Sequence, residues 1–431
     1  MTDGFRNEAL ENNIRYFVKW TIYSVFTGLV IGFAGMLFRR GIDLATANWS
    51  AYPQMLYLSP LAVIMILALT KLLREEKNDG TNTVIDSITE GKHITVRTAP
   101  LIFFSTILSH LVGASVGKEG GALMLGGSLG ELSAKLFRFD EKDKKIAIMC
   151  GMSACFAAVF GTPLAATIFP MEMISIGIMY YAALIPCIFS AFFGAGVSAY
   201  FGVGPERFPV AEIPVFDLPA TATVVVFGIV CAAVAILFSI ALYRGHMYTA
   251  RLLPNPWLRG VTGSALFLLL TFLNFRFFSR TPDFNGGGFH LIERAFEGTA
   301  PWYAFLFKLL FTCVCIWSGF KGGEIVPTLC IGACVGSCFA GLLGLEIPLY
   351  AACGVAALFV GMTNCPFSAL LMAFEMFGYD GMPYYAMAIA VSFTLSGYYG
   401  LYTSQKFPYS KTRTVFINRK GPRKLWNRDR D

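Results

Sequence analysis

The sequence predicts an all-α polytopic membrane protein made of two related halves. Three observations carry that reading. First, of 431 residues 55% are hydrophobic and 14% charged, where ordinary soluble domains carry about 25% charged residues. Second, apolar runs of spanning length recur, as at 17–38 and 221–243; about 20 such residues cross a hydrocarbon core. Third, two blocks of sequence repeat at nearly one spacing. The short alternating segments of a β-barrel are not seen.

Residues 1–14 are polar and mixed in charge, and no apolar stretch with a small-residue cleavage site follows. A cleavable signal peptide is therefore not expected, and the segment is placed in the cytoplasm. A first membrane repeat is assigned to 15–205 and a second to 206–405. The block GMSACFAAVFGTPLAATIFPMEM (151–173) aligns without a gap to GVAALFVGMTNCPFSALLMAFEM (354–376) at an offset of 203. Seven of 23 positions are identical, including Gly151/Gly354, Phe156/Phe359, Pro163/Pro366 and Glu172/Glu375. Gly117, Gly126 and Gly130 match Gly323, Gly332 and Gly336 at an offset of 206.

Glycines and prolines interrupt the apolar runs at 113–130, 161–170, 319–327 and 361–366. Broken helices at membrane depth must lie inside protein or line a cavity, because lipid cannot satisfy the freed backbone groups. Repeats with interrupted helices in corresponding places mark secondary transporters, whose ion sites sit at the repeat interface.

Residues 406–431 form a basic tail. The net charge of +7 sits there and in short loops, as at Lys142, Lys144 and Lys145. Such loops favour the cytoplasm, and the pattern does not suggest nucleic acid. The eleven cysteines are scattered without C-x-x-C pairs and read as small packing residues. His93, His246 and His290 lack ligand spacing, so no metal or cofactor is expected.

SVGKEGGALM (115–124) and FKGGEIVPTL (320–329) each set a glutamate after glycine at the mouth of an apolar segment. A carboxylate in the membrane costs on the order of 2.5–3.5 kcal/mol on insertion scales and is a functional candidate by default. Glu119 and Glu324 are both placed at helix N-termini, where exposed N–H groups favour anions. Such a spot holds either the carboxylate or a transported anion. Protonation removes the side chain's claim on it, so proton and anion move in opposite directions. The plainer alternative is that each glutamate caps its helix at a wet surface. Glu172 and Glu375, nine residues beyond Pro163 and Pro366, are read as structural carboxylates near the far ends of their helices.

These residues resemble the CLC family of chloride channels and anion/proton antiporters over about 15–405. GKEGG (117–121) is similar to the family's G-[KR]-E-G-P segment, which implies that Glu119 is the external gating glutamate. GGEIVP (322–327) is similar to its G-x-F-x-P segment. GLY (400–402) resembles the last helix that bears a central tyrosine, implying Tyr402. DGTNTVIDSI (79–88) falls where the family has G-S-G-I-P, whose serine coordinates chloride.

The departures point to one branch. The serine position holds Thr81 or Asn82, the phenylalanine position holds Ile325, and Glu324 replaces an apolar residue. The internal proton-carrying glutamate of chloride exchangers would follow Glu172, where this chain has Met173. Gly121 stands where the family often has proline. This combination is similar to the fluoride/proton antiporter branch. It implies an inverted two-repeat bundle with re-entrant helices, a homodimer with one pore per subunit, and a multi-pass location in the plasma or inner membrane. It implies no cytoplasmic nucleotide-sensing domain either, since 406–431 is too short for one. Fluoride is small, hard and strongly hydrated, so its filter needs strong donors. The N–H groups of Gly120, Gly121, Ile325 and Val326 can supply them, with Thr81 or Asn82 and the Tyr402 hydroxyl.

A chloride/proton antiporter or a passive chloride channel of the same fold would also want Glu119, although an uncoupled channel has little use for Glu324. A remoter rival is enzymatic. GGSLG (126–130) matches the G-x-S-x-G elbow of serine hydrolases, with His110 nearby in sequence. Its repeat partner GACVG (332–336) keeps the glycines and lacks the serine, which suits close helix packing; the chain is not expected to be an enzyme. NGGGFHLIERAF (285–296) lacks a P-loop lysine and is read as a link between helices.

Overall fold

The computed structural model describes residues 2–421, with side chains from residue 10; Met1 and the end of the basic tail, 422–431, lie outside the described residues. Sixteen α-helices are found among them. The first eight are α1 (Thr2–Ala51), α2 (Ser59–Leu72), α3 (Thr81–Glu90), α4 (Thr98–Leu111), α5 (Glu119–Leu136), α6 (Glu141–Phe160), α7 (Pro163–Glu172) and α8 (Leu184–Tyr200). The second eight are α9 (Leu218–Leu252), α10 (Pro256–Phe277), α11 (Phe289–Phe296), α12 (Ala304–Ser318), α13 (Ile325–Leu343), α14 (Ile347–Thr363), α15 (Pro366–Phe377) and α16 (Met382–Leu395).

Six helical stretches, Leu10–Ala51, Pro53–Leu72, Tyr181–Tyr200, Leu218–Leu252, Pro256–Phe277 and Ile325–Leu343, are long and apolar enough to cross a membrane. Others are far shorter: α3 and α7 have 10 residues each, α11 has 8 and α15 has 12. At 1.5 Å per residue these cannot span the core. Large apolar side chains such as Ile22, Leu269, Phe272 and Leu342 stand exposed on the outside, while α6 and α14 are buried along most of their length. That inside-out surface suits a lipid surround.

The repeated glycines are contact points. A Cβ on Gly126 or Gly130 of α5 would collide with the Gly151 or Ala147 carbonyl of α6. In the second half, Gly332 and Gly336 of α13 meet the Gly354 and Tyr350 carbonyls of α14 in the same way. Lipid is as apolar as leucine, so helices gain from backbone proximity and van der Waals contact rather than from the hydrophobic effect. Ser128, in the middle of GGSLG, donates its hydroxyl to the Thr95 carbonyl at 3.0 Å. It sits on a helix interior, not on the strand-to-helix turn that a hydrolase elbow requires.

Helices α7 and α15 lie against each other and exchange carboxylates. Glu172, the last residue of α7, accepts from the N–H groups of Phe367 (3.1 Å) and Ser368 (2.9 Å) at the start of α15. Glu375, near the end of α15, accepts from those of Leu164 and Ala165, both at 2.9 Å, at the start of α7. Each carboxylate therefore satisfies orphan donors at the positive end of the other helix. An end-to-end swap between repeat-related residues is what an inverted repeat produces.

Two features differ from the sequence expectation. Tyr402 was expected on a last helix, but α16 stops at Leu395 and 396–405 is non-helical. Gly397 turns the chain at φ +60°, and the carbonyls and amides that a helix would pair internally bond to α14 instead: Leu401 N–H donates to the Met362 carbonyl at 2.8 Å and Asn364 Nδ2 to the Tyr399 carbonyl at 3.0 Å. The stretch read only as a basic tail also contains a hairpin, β1 (Lys406–Tyr409) antiparallel to β2 (Phe416–Lys420). It is stitched beneath α7, because Ile176 N–H donates to the Lys406 carbonyl at 2.8 Å.

Candidate functional site

The N-termini of α5 and α13 converge from opposite halves. Just before them, Gly117 and Gly323 form an isolated antiparallel bridge, each N–H donating to the other's carbonyl at 2.6 Å. The approach is so close that a Cβ on Gly120 would lie 2.9 Å from Gly323 Cα, and one on Gly323 would lie 2.5 Å from Gly120 N. Only glycine fits. Two helix ends with unpaired N–H groups thus face one spot, a ready anion site.

Glu119 fills that spot. It is fully buried, and its Oε2 accepts from the Val326 N–H of α13 at 3.2 Å. The other oxygen, Oε1, is buried with no protein partner. A Cβ on Gly117 would lie 2.6 Å from Oε2, so that glycine makes room for the carboxylate. The side chain of one half therefore sits on the N-terminal N–H groups of the other half's helix.

Glu324 is the N-cap residue of α13, yet its side chain makes no capping bond. The cap contacts go through its backbone carbonyl, which accepts from Thr328 N–H at 3.0 Å and Oγ1 at 2.7 Å. The carboxylate lies within electrostatic reach of Lys321 and Asp79. Tyr402 lies within electrostatic reach of both glutamates, and its buried hydroxyl has no protein partner. A buried O–H without a partner is expensive unless an ion or water completes it.

Thr81 and Asn82 part company. Thr81 opens α3, and its Oγ1 is 3.6 Å from where a Cβ on Gly120 would lie, so the hydroxyl faces the glycine crossing. Asn82 Oδ1 instead accepts from Ser404 N–H at 3.1 Å, tying α3 to the segment that carries Tyr402. Gly120, Gly121, Ile325 and Val326 are all buried at the two helix starts. Gly121 has a packing reason of its own, since a Cβ there would lie 2.9 Å from the Phe38 ring.

A family model described as voltage gated chloride channel matches residues 61–397. The chain belongs to the CLC family. Among CLC relatives, a "Chloride/fluoride channel protein" of Pseudomonas syringae pv. tomato is 34% identical over 410 residues, 94% of this chain and 90% of that protein. The "H(+)/Cl(-) exchange transporter ClcA" of Yersinia pestis is 25% identical over 82% of this chain and 79% of its own length. The crystal structure of a CLC-type fluoride/proton antiporter superposes with a TM-score of 0.85 at 29% identity, covering 90% of this chain and 98% of that one. A slow cyanobacterial Cl⁻/H⁺ antiporter shares the fold, with a TM-score of 0.74 at 20% identity over 88% and 94% of the two chains.

The CLC chain also carries site features that sequence reasoning passed over. On the approach to Glu119 lies a cavity of about 710 Å³ lined by His110, Gly117, Lys118, Glu206, Asp283 and Val326, among others. Lys118, the lysine of GKEGG, is buried there. Its ammonium donates to Glu206 at 3.0 Å and lies 4.6 Å from the centre of the Phe289 ring. Glu206 also accepts from Arg39 at 2.7 Å. Of the stretch 285–296, read as a link between helices, only 285–288 is loop; 289–296 is itself α11, and the loop is anchored by the fully buried Lys308. That ammonium donates to Ser115 Oγ at 2.9 Å and to the Gly286 carbonyl at 2.7 Å. The signal for Lys118 was present in the motif; Glu206, Arg39 and Lys308 come from distant segments and carried none.

Proposed function

We propose that the protein is a proton-coupled antiporter that exports fluoride in exchange for protons. The observation that supports this most directly is the Glu119 carboxylate lodged on the N-terminus of α13. As a carboxylate it holds the cradle. When a proton neutralises it, the attraction to the Val326 N–H and the helix end falls away, and a fluoride ion takes the vacated donors. Release of the proton drives the side chain back and the halide onward. Glu324, at the same helix start with its side chain unbonded to the helix, is the second proton-bearing group; Thr81, whose hydroxyl faces the glycine crossing, and Tyr402 complete the filter, while Asn82 ties α3 to the Tyr402 segment. The protein sits as a homodimer in the plasma or inner membrane, with the 206–405 half supplying α13 and the 15–205 half supplying α5. It makes and breaks no covalent substrate bond.

A chloride reading has one observation of its own: Thr81 presents a hydroxyl where chloride-binding relatives are expected to have serine. Liposomes loaded with fluoride or chloride, monitored by halide and pH electrodes, decide between the two. The proposal expects fluoride efflux to draw protons inward and chloride efflux to be slower. Faster chloride than fluoride, or fluoride loss without proton movement, overturns it.

A further inference from the structure

Beside the Tyr402 segment, three polar side chains, two of them buried, form a chain with one direction. Lys411, in the turn of the β1–β2 hairpin, donates its ammonium to Asn364 Oδ1 and, at 3.0 Å, to the Phe393 carbonyl. The ammonium also lies 4.1 Å from the centre of the Phe393 ring, a cation–π distance. Asn364 Nδ2 donates to the Tyr399 carbonyl at 3.0 Å and to Gln405 Oε1 at 3.1 Å. Gln405 Nε2 donates to the Met173 and Thr363 carbonyls, both at 2.9 Å. Asn364 and Gln405 are almost completely buried.

Every donor and acceptor of the two amides has a defined partner. Backbone carbonyls at one end can only accept, and an ammonium at the other end can only donate. The polarity of the chain is thereby set, and neither amide can turn over without placing like atoms face to face. Asn364 holds an unusual backbone to do this, with φ +61° at the end of α14.

The two residues this chain grips, Tyr399 and Gln405, stand three positions either side of Tyr402. No helix holds that segment. Its path is set by these bonds, by Leu401 N–H on the Met362 carbonyl, and by Gly400, where a Cβ would lie 2.7 Å from Asn364 Nδ2. Gln405 also grips Met173, the residue where chloride exchangers are expected to keep their internal glutamate.

Resting on the transport reading above, we propose that Lys411 is a positioning residue for Tyr402. Through Asn364 and Gln405 it fixes where the tyrosine hydroxyl meets the passing anion. Removing the ammonium leaves Asn364 Oδ1 buried and unpaired, so the amides rearrange and the 399–405 segment loosens.

The test is a double-mutant cycle on the full-length protein in liposomes, reading the half-saturating halide concentration and the maximal rate separately. Lys411→Met should raise the half-saturating fluoride concentration about fivefold to tenfold, the scale of one lost hydrogen bond. Lys411→Arg, which keeps a donor-only cation, should restore most of it. In a Tyr402→Phe background the same Lys411→Met change should add less than about twofold, because coupled residues are not additive. If Lys411→Met does not fold, Lys411→Gln is read in its place and should shift the same quantity in the same direction. Equal effects in both backgrounds, or a change in maximal rate alone, overturn the positioning role. A wild type that carries chloride rather than fluoride overturns the fluoride reading only, and the cycle is then read on chloride. A wild type that carries neither overturns both.

Discussion

Glutamine at position 119 would keep the shape of the side chain and an oxygen for the Val326 N–H, but it would lose the charge and the exchangeable proton. Glu119→Gln is therefore expected to abolish proton movement coupled to fluoride, with stability in detergent little changed. Undiminished fluoride-driven proton uptake in liposomes would show that Glu119 is not the coupling group. Glu172 and Glu324 separate by their contacts. Glu172 is engaged by the Phe367 and Ser368 amides and by the Ser368 hydroxyl at 2.6 Å, whereas Glu324 makes no side-chain bond to its own helix. Glu324→Gln should cut turnover at least tenfold, the factor that 1.4 kcal/mol corresponds to in a barrier. Glu172→Gln should instead lower thermal stability, by about 1 kcal/mol for a weakened helix-end contact. Matching transport losses in the two variants would reduce Glu324 to a local structural role.

Helix α5 is held to α6 by backbone contact at Gly126 and Gly130. Gly126→Val would put a branched side chain against the Gly151 carbonyl. It is expected to destabilise the fold by about 1–3 kcal/mol, as overpacking does, seen as a lowered unfolding temperature in detergent. An unchanged unfolding temperature would mean the two helices pack elsewhere. This element was legible in advance, because glycine spacing is a local pattern and repeats faithfully at 332 and 336. So were the starts of α5 and α13, where glycine precedes glutamate. Other features were hidden because their causes lie far away in sequence. Nothing near Tyr402 says that its segment will bond to Met362 and Asn364 instead of forming a helix. Nothing near Glu172 names Phe367 as its partner. The choice between Thr81 and Asn82 rests on Gly120 and Ser404, which only the folded chain brings to α3. The β1–β2 hairpin was masked by its basic composition, which reads equally well as solvated tail.

At the scale of the molecule, the proposed anion cradle belongs to neither half alone. One half contributes the carboxylate and the other contributes the N–H groups that hold it, and the Gly117–Gly323 bridge sets their separation. Transport should therefore be far more sensitive to a small change at that bridge than to the same change within α13. Gly323→Ala adds one methyl group, 2.5 Å from Gly120 N, where backbone must move to admit it. Gly341→Ala adds the same methyl near the other end of α13, where nothing lies within 4 Å. Replacing helical glycine with alanine there should gain up to about 1 kcal/mol of stability and leave flux intact. At the bridge, the shift misplaces the α13 N-terminus relative to Glu119, and an ångström of misplacement at a working site costs about a hundredfold in rate. Liposome flux and detergent melting of the two variants, side by side, give the check. Equal flux in Gly323→Ala and Gly341→Ala would mean that the halves do not need this contact to assemble the site.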